Sequence, residues 1–141
     1  MVDHKLLTQK ITLLTEYIKD LTEIRDNAAI TLSIFKEDKV TRRYVERTLH
    51  LAVECTLDIG SHIIADEKFR EPISNKDVFT VLADEKIITP QSLAALQKMA
   101  KFRNVLVHDY AKIDPEIIYS ILKKNLKDIE DYMEQIIKSY L

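Results

Sequence analysis

The chain has 141 residues, 46% hydrophobic and 31% charged, a soluble globular balance in a length that can bury a core without cross-links. Its 21 basic and 23 acidic residues give a net charge of −2, which excludes a general coater of nucleic acid, because that role rests on an overall positive surface. A single glycine and three prolines favour helices over hairpins, and a single cysteine, Cys55, excludes an internal disulfide and reads as a packed, inert thiol.

No basic and then apolar leader opens the chain, and no apolar run approaches the roughly 20 residues that cross a bilayer; a cytoplasmic protein with no membrane association is expected. A first helix after Asp3 carries Leu7, Ile11, Leu14, Ile18, Leu21, Ala28 and Leu32 at four–three spacing, interrupted by Arg25, which is expected to pair or to reach the edge of the seam. Lys36 to Lys39 form a charged break, with Asp38 or Thr41 as candidate caps. The second helix shows Val45, Leu49, Ala52, Thr56, Ile59 and Ile63 on one side, and Arg47, Leu51, Glu54, Asp58 and His62 on another. A connection around Pro72 leads to a short helix near 76–85, opened by Ser74 with Asp77 three residues on. Thr89-Pro90 starts a long helix through Leu93, Leu96, Met99 and Phe102. Asp114-Pro115 starts the last, with Ile118, Leu122, Leu126, Ile129, Met133, Ile136 and Tyr140 in line. Four long helices and one short one, joined by short connections, predict an all-α, antiparallel up-and-down four-helix bundle with one additional short helix, a single domain over residues 1–141.

The chemistry concentrates in Arg103-Asn104-Val105-Leu106-Val107-His108-Asp109-Tyr110. Arg103 falls on the apolar stripe of Leu96, Met99, Ala100 and Val107, where burying an unpaired guanidinium is expensive. An anion must meet it: either a carboxylate of the protein, with Glu54 and Asp58 as candidates, or a phosphate. His108 can shuttle protons near neutrality, or simply cap the helix end. The five-residue separation of Arg103 and His108 rotates the two side chains about 140° apart on a straight helix. They converge only if the helix ends or bends between them, or if two copies face one another. Lys98, Lys101 and Lys112 surround the motif as candidate RNA-binding residues, opposed by Asp109. The histidines are scattered and no Cys-x-x-Cys occurs, so neither a metal site nor a cofactor is expected.

The stretch from Met99 to Tyr110, followed by Ile113-Asp114, resembles the HEPN toxins of the HepT type, whose hallmark is Arg-x4–6-His, here Arg-x4-His-x-Tyr. Leu57 to Ile64 and the Phe79–Ile88 segment share the resemblance, which spans about residues 41–130. It implies a HEPN bundle forming a two-fold homodimer, with the paired motifs facing a cleft. It further implies a metal-independent endoribonuclease, the toxin of a type VII-like HEPN/MNT toxin–antitoxin pair, acting on RNA or tRNA. By position, Arg103 would bind the scissile phosphate, His108 would act as general acid and base, and Asn104 would support them. The implied partner is an MNT-type nucleotidyltransferase antitoxin that transfers AMP from ATP to Tyr110, silencing the toxin. The alternative is a non-catalytic HEPN subunit that docks a nucleotidyltransferase and presents nucleotide or substrate to it.

Overall fold

Asp3 sets the start of the first helix: its carboxylate accepts the Leu6 amide at 3.0 Å, and α1 runs His4–Arg25. The computed structural model describes residues 1–108 and 113–141. Among these residues all regular structure is helical, in seven elements.

The first helix is shorter than its apolar spacing predicts. The side chain of Arg25 turns onto the adjacent Asp26, at 2.9 and 3.3 Å, and Asn27 accepts the Ala29 amide through its own side chain at 3.0 Å. Asn27 thereby offers the backbone an alternative to helix, and the chain takes it. Ala28 is exposed and Leu32 half-buried, so the last two positions of the expected seam do not continue it. A short helix, α2 (Leu32–Glu37), follows instead, capped by Thr31, and buries Phe35 completely.

Asp38 caps α3 (Lys39–Glu67) through the Thr41 amide at 3.1 Å and the Thr41 hydroxyl at 2.7 Å, which together hold its carboxyl below the usual range. The helix spans about 44 Å and buries Val45, Leu49, Ala52, Thr56, Ile59 and Ile63, the side expected from the sequence. It ends in a Schellman turn with Lys68 in the left-handed region, φ 58°, the Phe69 amide donating to the Ile64 carbonyl at 3.0 Å. Ser74 caps α4 (Asn75–Asp84) by accepting the Asp77 amide at 3.1 Å. Asp77 in turn takes both terminal nitrogens of Arg70, at 2.7 and 2.8 Å.

Thr89 accepts the Ser92 amide at 3.2 Å and opens α5 (Pro90–His108). Asp114 opens α6 (Pro115–Lys124), and α7 (Leu126–Tyr140) follows after a break at Asn125. That break divides the expected single last helix: the Asn125 amide still donates to the Ile121 carbonyl, and the Asn125 and Asp128 side chains bond one another at 3.1 Å. The apolar line survives it, with Ile118, Leu122, Leu126, Ile129, Met133 and Ile136 all buried.

α1, α3, α5 and the broken α6–α7 form the bundle, α4 lies over α3 and α5, and α2 packs on α3 and α6. Cross-links show the antiparallel sense. Lys10 of α1 pairs with Asp58 of α3, and the Met1 amine reaches the Asp66 carbonyl. The Thr89 amide at the start of α5 donates to Gln135 late in α7, at 2.7 Å. Tyr132, fully buried, donates its hydroxyl to the Thr56 carbonyl at 2.9 Å and meets Phe79 edge-on, and burial pushes its phenol pKa up. Gly60, the only glycine, sits where α4 crosses α3: a Cβ there would lie 2.7 Å from Val78 Cγ1.

Candidate active site

Arg103 reaches from α5 to α3, where its Nε donates to Glu54 Oε1 at 2.5 Å. The apolar stripe of α5 thus carries its guanidinium into the α3–α5 seam, and a carboxylate meets it there. The pair is half-buried, with side-chain exposures of 25% for Arg103 and 40% for Glu54. That placement screens the charges less than open solvent would, yet leaves an outward face. Only Nε is spent on Glu54. Nη1 makes a long 3.4 Å contact with Asn104 Oδ1, and Nη2 makes no hydrogen bond among the described residues. The terminal nitrogens therefore keep donors for a bidentate grip on a phosphate.

Asp58, the other carboxylate in question, does not meet Arg103. It accepts from Lys10 of α1 instead. Glu54, Asp58 and Arg103 nevertheless line one hollow of about 430 Å³ with Lys10, Tyr17 and Asn75. Cys55 sits on its wall, its thiol pointing to the Lys10 carbonyl, 3.4 Å away; burial raises its pKa to about 11, an inert state.

α5 does not end between Arg103 and His108; every residue from Pro90 to His108 is helical. Within one copy the two side chains thus point to sides about 140° apart. His108 is exposed, and it shares a flank of α5 with the exposed Asn104 and Lys101, at spacings of four and seven residues. Lys98 lies on another side, in an apolar groove of about 570 Å³ with Phe102, Met99 and Asp128. It does not adjoin Arg103. Tyr110, Lys112 and Asp109 lie outside the described residues.

Two residues next to the Arg103–Glu54 pair escape a reading centred on the α5 motif. His50 Nε2 stands 3.5 Å from Glu54 Oε1, and His50 Nδ1 is 3.3 Å from Arg47 Nη1. The signal is present in the sequence as the four-residue spacing of His50 and Glu54, which stacks them on one face of α3. Arg47, His50, Glu54 and Arg103 form a polar chain across the seam. Among the described residues no three His, Cys, Asp or Glu side chains gather as a metal site, and no helix is long and apolar enough to cross a membrane.

A helical bundle that presents a carboxylate-held arginine and an exposed imidazole within one Arg-x4-His motif has the architecture of a helical ribonuclease. The chain belongs to the ribonuclease HepT-like family, whose model matches residues 14–136. It is 29% identical over 131 residues to the mRNA nuclease HepT of Shewanella oneidensis, covering 93% of this chain and 96% of that one. It is 28% identical over 142 residues to the tRNA nuclease HepT of Aphanizomenon flos-aquae, covering 99% and 92%. The tri-AMPylated Shewanella oneidensis HEPN toxin, solved in complex with MNT antitoxin, superposes with a TM-score of 0.85 at 28% identity, over 97% of this chain and 99% of that one.

Proposed function

We propose that this protein is a toxin endoribonuclease whose site is completed by a second copy of the chain. The carrying observation is Arg103: a buried-stripe guanidinium fixed through Nε by Glu54, with its terminal nitrogens still able to donate. Family membership supports the chemistry, and the unbroken helical run of α5 from Arg103 to His108 supports the pairing of copies.

In this reading Arg103 binds the scissile phosphate of RNA and stabilises the charge that builds on its oxygens. One such electrostatic donor is worth about 10²- to 10³-fold in rate. His108 accepts the 2′-hydroxyl proton as the 2′-oxygen attacks phosphorus, and an imidazolium protonates the departing 5′-oxygen; acid–base help of this kind is worth about 10²- to 10⁴-fold. Asn104, on the same flank as His108 and touching Arg103 Nη1, supports both. In a two-fold homodimer the Arg103 of one copy and the His108 of the other can address one phosphate. The chemistry asks nothing of a metal.

The MNT-type nucleotidyltransferase antitoxin is the partner, as in the Shewanella complex. The phenolic oxygen of Tyr110 attacks the α-phosphorus of ATP, pyrophosphate leaves, and the phenol proton passes to base. The resulting phosphodiester sets a negative charge and a nucleoside two residues from His108, excluding RNA by charge and by bulk.

The test is cleavage of bulk tRNA and of total RNA by purified protein in EDTA, beside Arg103→Ala and His108→Ala, with mapped ends. Cleavage by wild type and by neither variant is expected. No cleavage by verified unmodified wild type would favour the non-catalytic docking subunit. Incubation with the cognate nucleotidyltransferase and ATP should add AMP to Tyr110 and stop cleavage; an intact protein mass after that incubation removes the silencing step.

A further inference from the structure

The geometry points to a second phosphate-binding element: the groove lined by Arg42, Arg43, Arg47 and His50 holds the RNA strand beside the cleavage site. This deepens the ribonuclease reading and rests on it.

The groove, of about 640 Å³, opens between the N-terminal half of α3 and the far end of α5, closed by Leu106, Ile113 and Pro115. Among the described residues, three arginines and a histidine line it against one carboxylate, Glu46. Glu46 is itself half-buried: burial raises its pKa, and Arg42 and Arg43 draw it back down. Arg42 is anchored, its guanidinium donating to the Lys36 carbonyl. Arg43 and Arg47 are exposed, and among the described residues no carboxylate pairs with either. Such a concentration of positive charge in a chain of net charge −2 is local by construction, and it sits at one place on the surface.

Its position argues for a nucleic-acid strand over an acidic protein. Arg43, Arg47, His50 and Glu54 follow one another at spacings of four, three and four, so they occupy a single face of α3. Arg47 stands about 10 Å, and Arg43 about 16 Å, along that helix from the residue that holds Arg103. The contacts of Arg47 with His50 and of His50 with Glu54 make the path continuous. A strand whose scissile phosphate lies on Arg103 and whose backbone follows α3 toward its N-terminus meets arginine forks at Arg47 and Arg43, the side chains suited to bidentate phosphate recognition. Lys98, by contrast, faces an apolar groove elsewhere on α5.

The test uses a fluorescein-labelled, 2′-O-methyl single-stranded RNA, which lacks the attacking hydroxyl and cannot be cut, titrated against the full-length protein at several salt concentrations. Arg43→Gln/Arg47→Gln is compared with wild type and with Lys98→Gln, each checked by thermal melting. Loss of two single-strand phosphate contacts should flatten the slope of log affinity against log salt by about 1.4, and Lys98→Gln should leave it unchanged. An unaltered slope in the double variant overturns the groove, while EDTA-resistant cleavage by wild type in the same preparation would leave the ribonuclease reading standing. Unchanged RNA binding combined with lost capture of the nucleotidyltransferase would also overturn it, reassigning the arginines to the protein partner.

Discussion

Gly60→Ala should destabilise this protein, against the ordinary benefit of removing a glycine from a helix. Alanine gains about 1 kcal/mol over glycine in a helix interior. Here the added Cβ would stand 2.7 Å from Val78 Cγ1, 3.2 Å from Leu82 Cδ1 and 3.3 Å from the Tyr132 hydroxyl. Carbon atoms in contact sit about 3.5–4.0 Å apart, so the nearest pair is short by about 1 Å. Val78 is β-branched, stiff at χ1 and buried, and Leu82 is fully buried, so neither can swing away cheaply. A retreat of Tyr132 would stretch its bond to the Thr56 carbonyl. Overpacking of this kind costs about 1–3 kcal/mol. With the upper part of that range opposed by the helical gain, the net loss is about 1–2 kcal/mol, or about 3–7 °C in Tm for a chain of this size. Differential scanning calorimetry of Gly60→Ala, Val78→Ala and the double variant measures it. Removing Val78 Cγ1 vacates the space for the new methyl, so the double variant should be more stable than the sum of the single losses by about 1 kcal/mol. A raised Tm in Gly60→Ala, or strict additivity in the cycle, would refute the close-approach argument.

Glu54→Ala should lower kcat for RNA cleavage about 10- to 100-fold by loosening Arg103, at a stability cost of about 1 kcal/mol or less because both partners are partly exposed. In an Arg103→Ala background the same change should do little more, and independent, multiplying losses in single-turnover assays would show that Glu54 does not act through Arg103. Asp77 titrates at about 2 rather than 3.8, chiefly because Arg70 donates to it and also through the Ile73 amide. The lowered value means that its bridge supports the fold above pH ~4 and is lost as pH falls through ~2; a carboxyl NMR titration with a midpoint near 3.8 would contradict it. Cys55, with its pKa raised by burial to about 11, should resist iodoacetamide at pH 8 in the native protein and react rapidly once unfolded; rapid native labelling would place it outside the core.

The core faces of the long helices were legible because they repeat. The α3 positions Val45, Leu49, Ala52, Thr56, Ile59 and Ile63 and the whole line from Ile118 to Ile136 are buried as the four–three spacing requires. Caps at Ser74 and Asp114 announced themselves by residue type, since short polar side chains satisfy the first free amides, and of the two candidates Asp38 and Thr41 it is Asp38 that caps α3. The breaks were harder to see. At Arg25–Asn27 and at Asn125 the apolar period runs on across the gap; at the first, the Asn27 side chain takes the Ala29 amide from the helix ladder. Tyr132 escaped for a related reason: it lies beside the main stripe of α7, and its burial depends on a carbonyl of α3 that sequence does not bring near. At the site, the misfit of Arg103 on an apolar stripe pointed to an anionic neighbour, and Glu54 supplies it. The choice between Glu54 and Asp58 was fixed by Lys10, a residue 48 positions away from Asp58, through packing of α1 on α3.

The distribution of left-handed backbone has its own consequence. Among the described residues the two positive φ angles, at 58° and 61°, belong to Lys68 and Lys86, while the one glycine is placed inside a helix. Each lysine holds a conformation that costs an L-residue about 1 kcal/mol. Neither position touches Arg103, Glu54 or the arginine groove. Both are therefore places where an exchange to glycine or asparagine could raise thermal tolerance without altering the chemistry. The protein has unclaimed stability at the two turns that flank α4, and laboratory evolution under heat should find it there first.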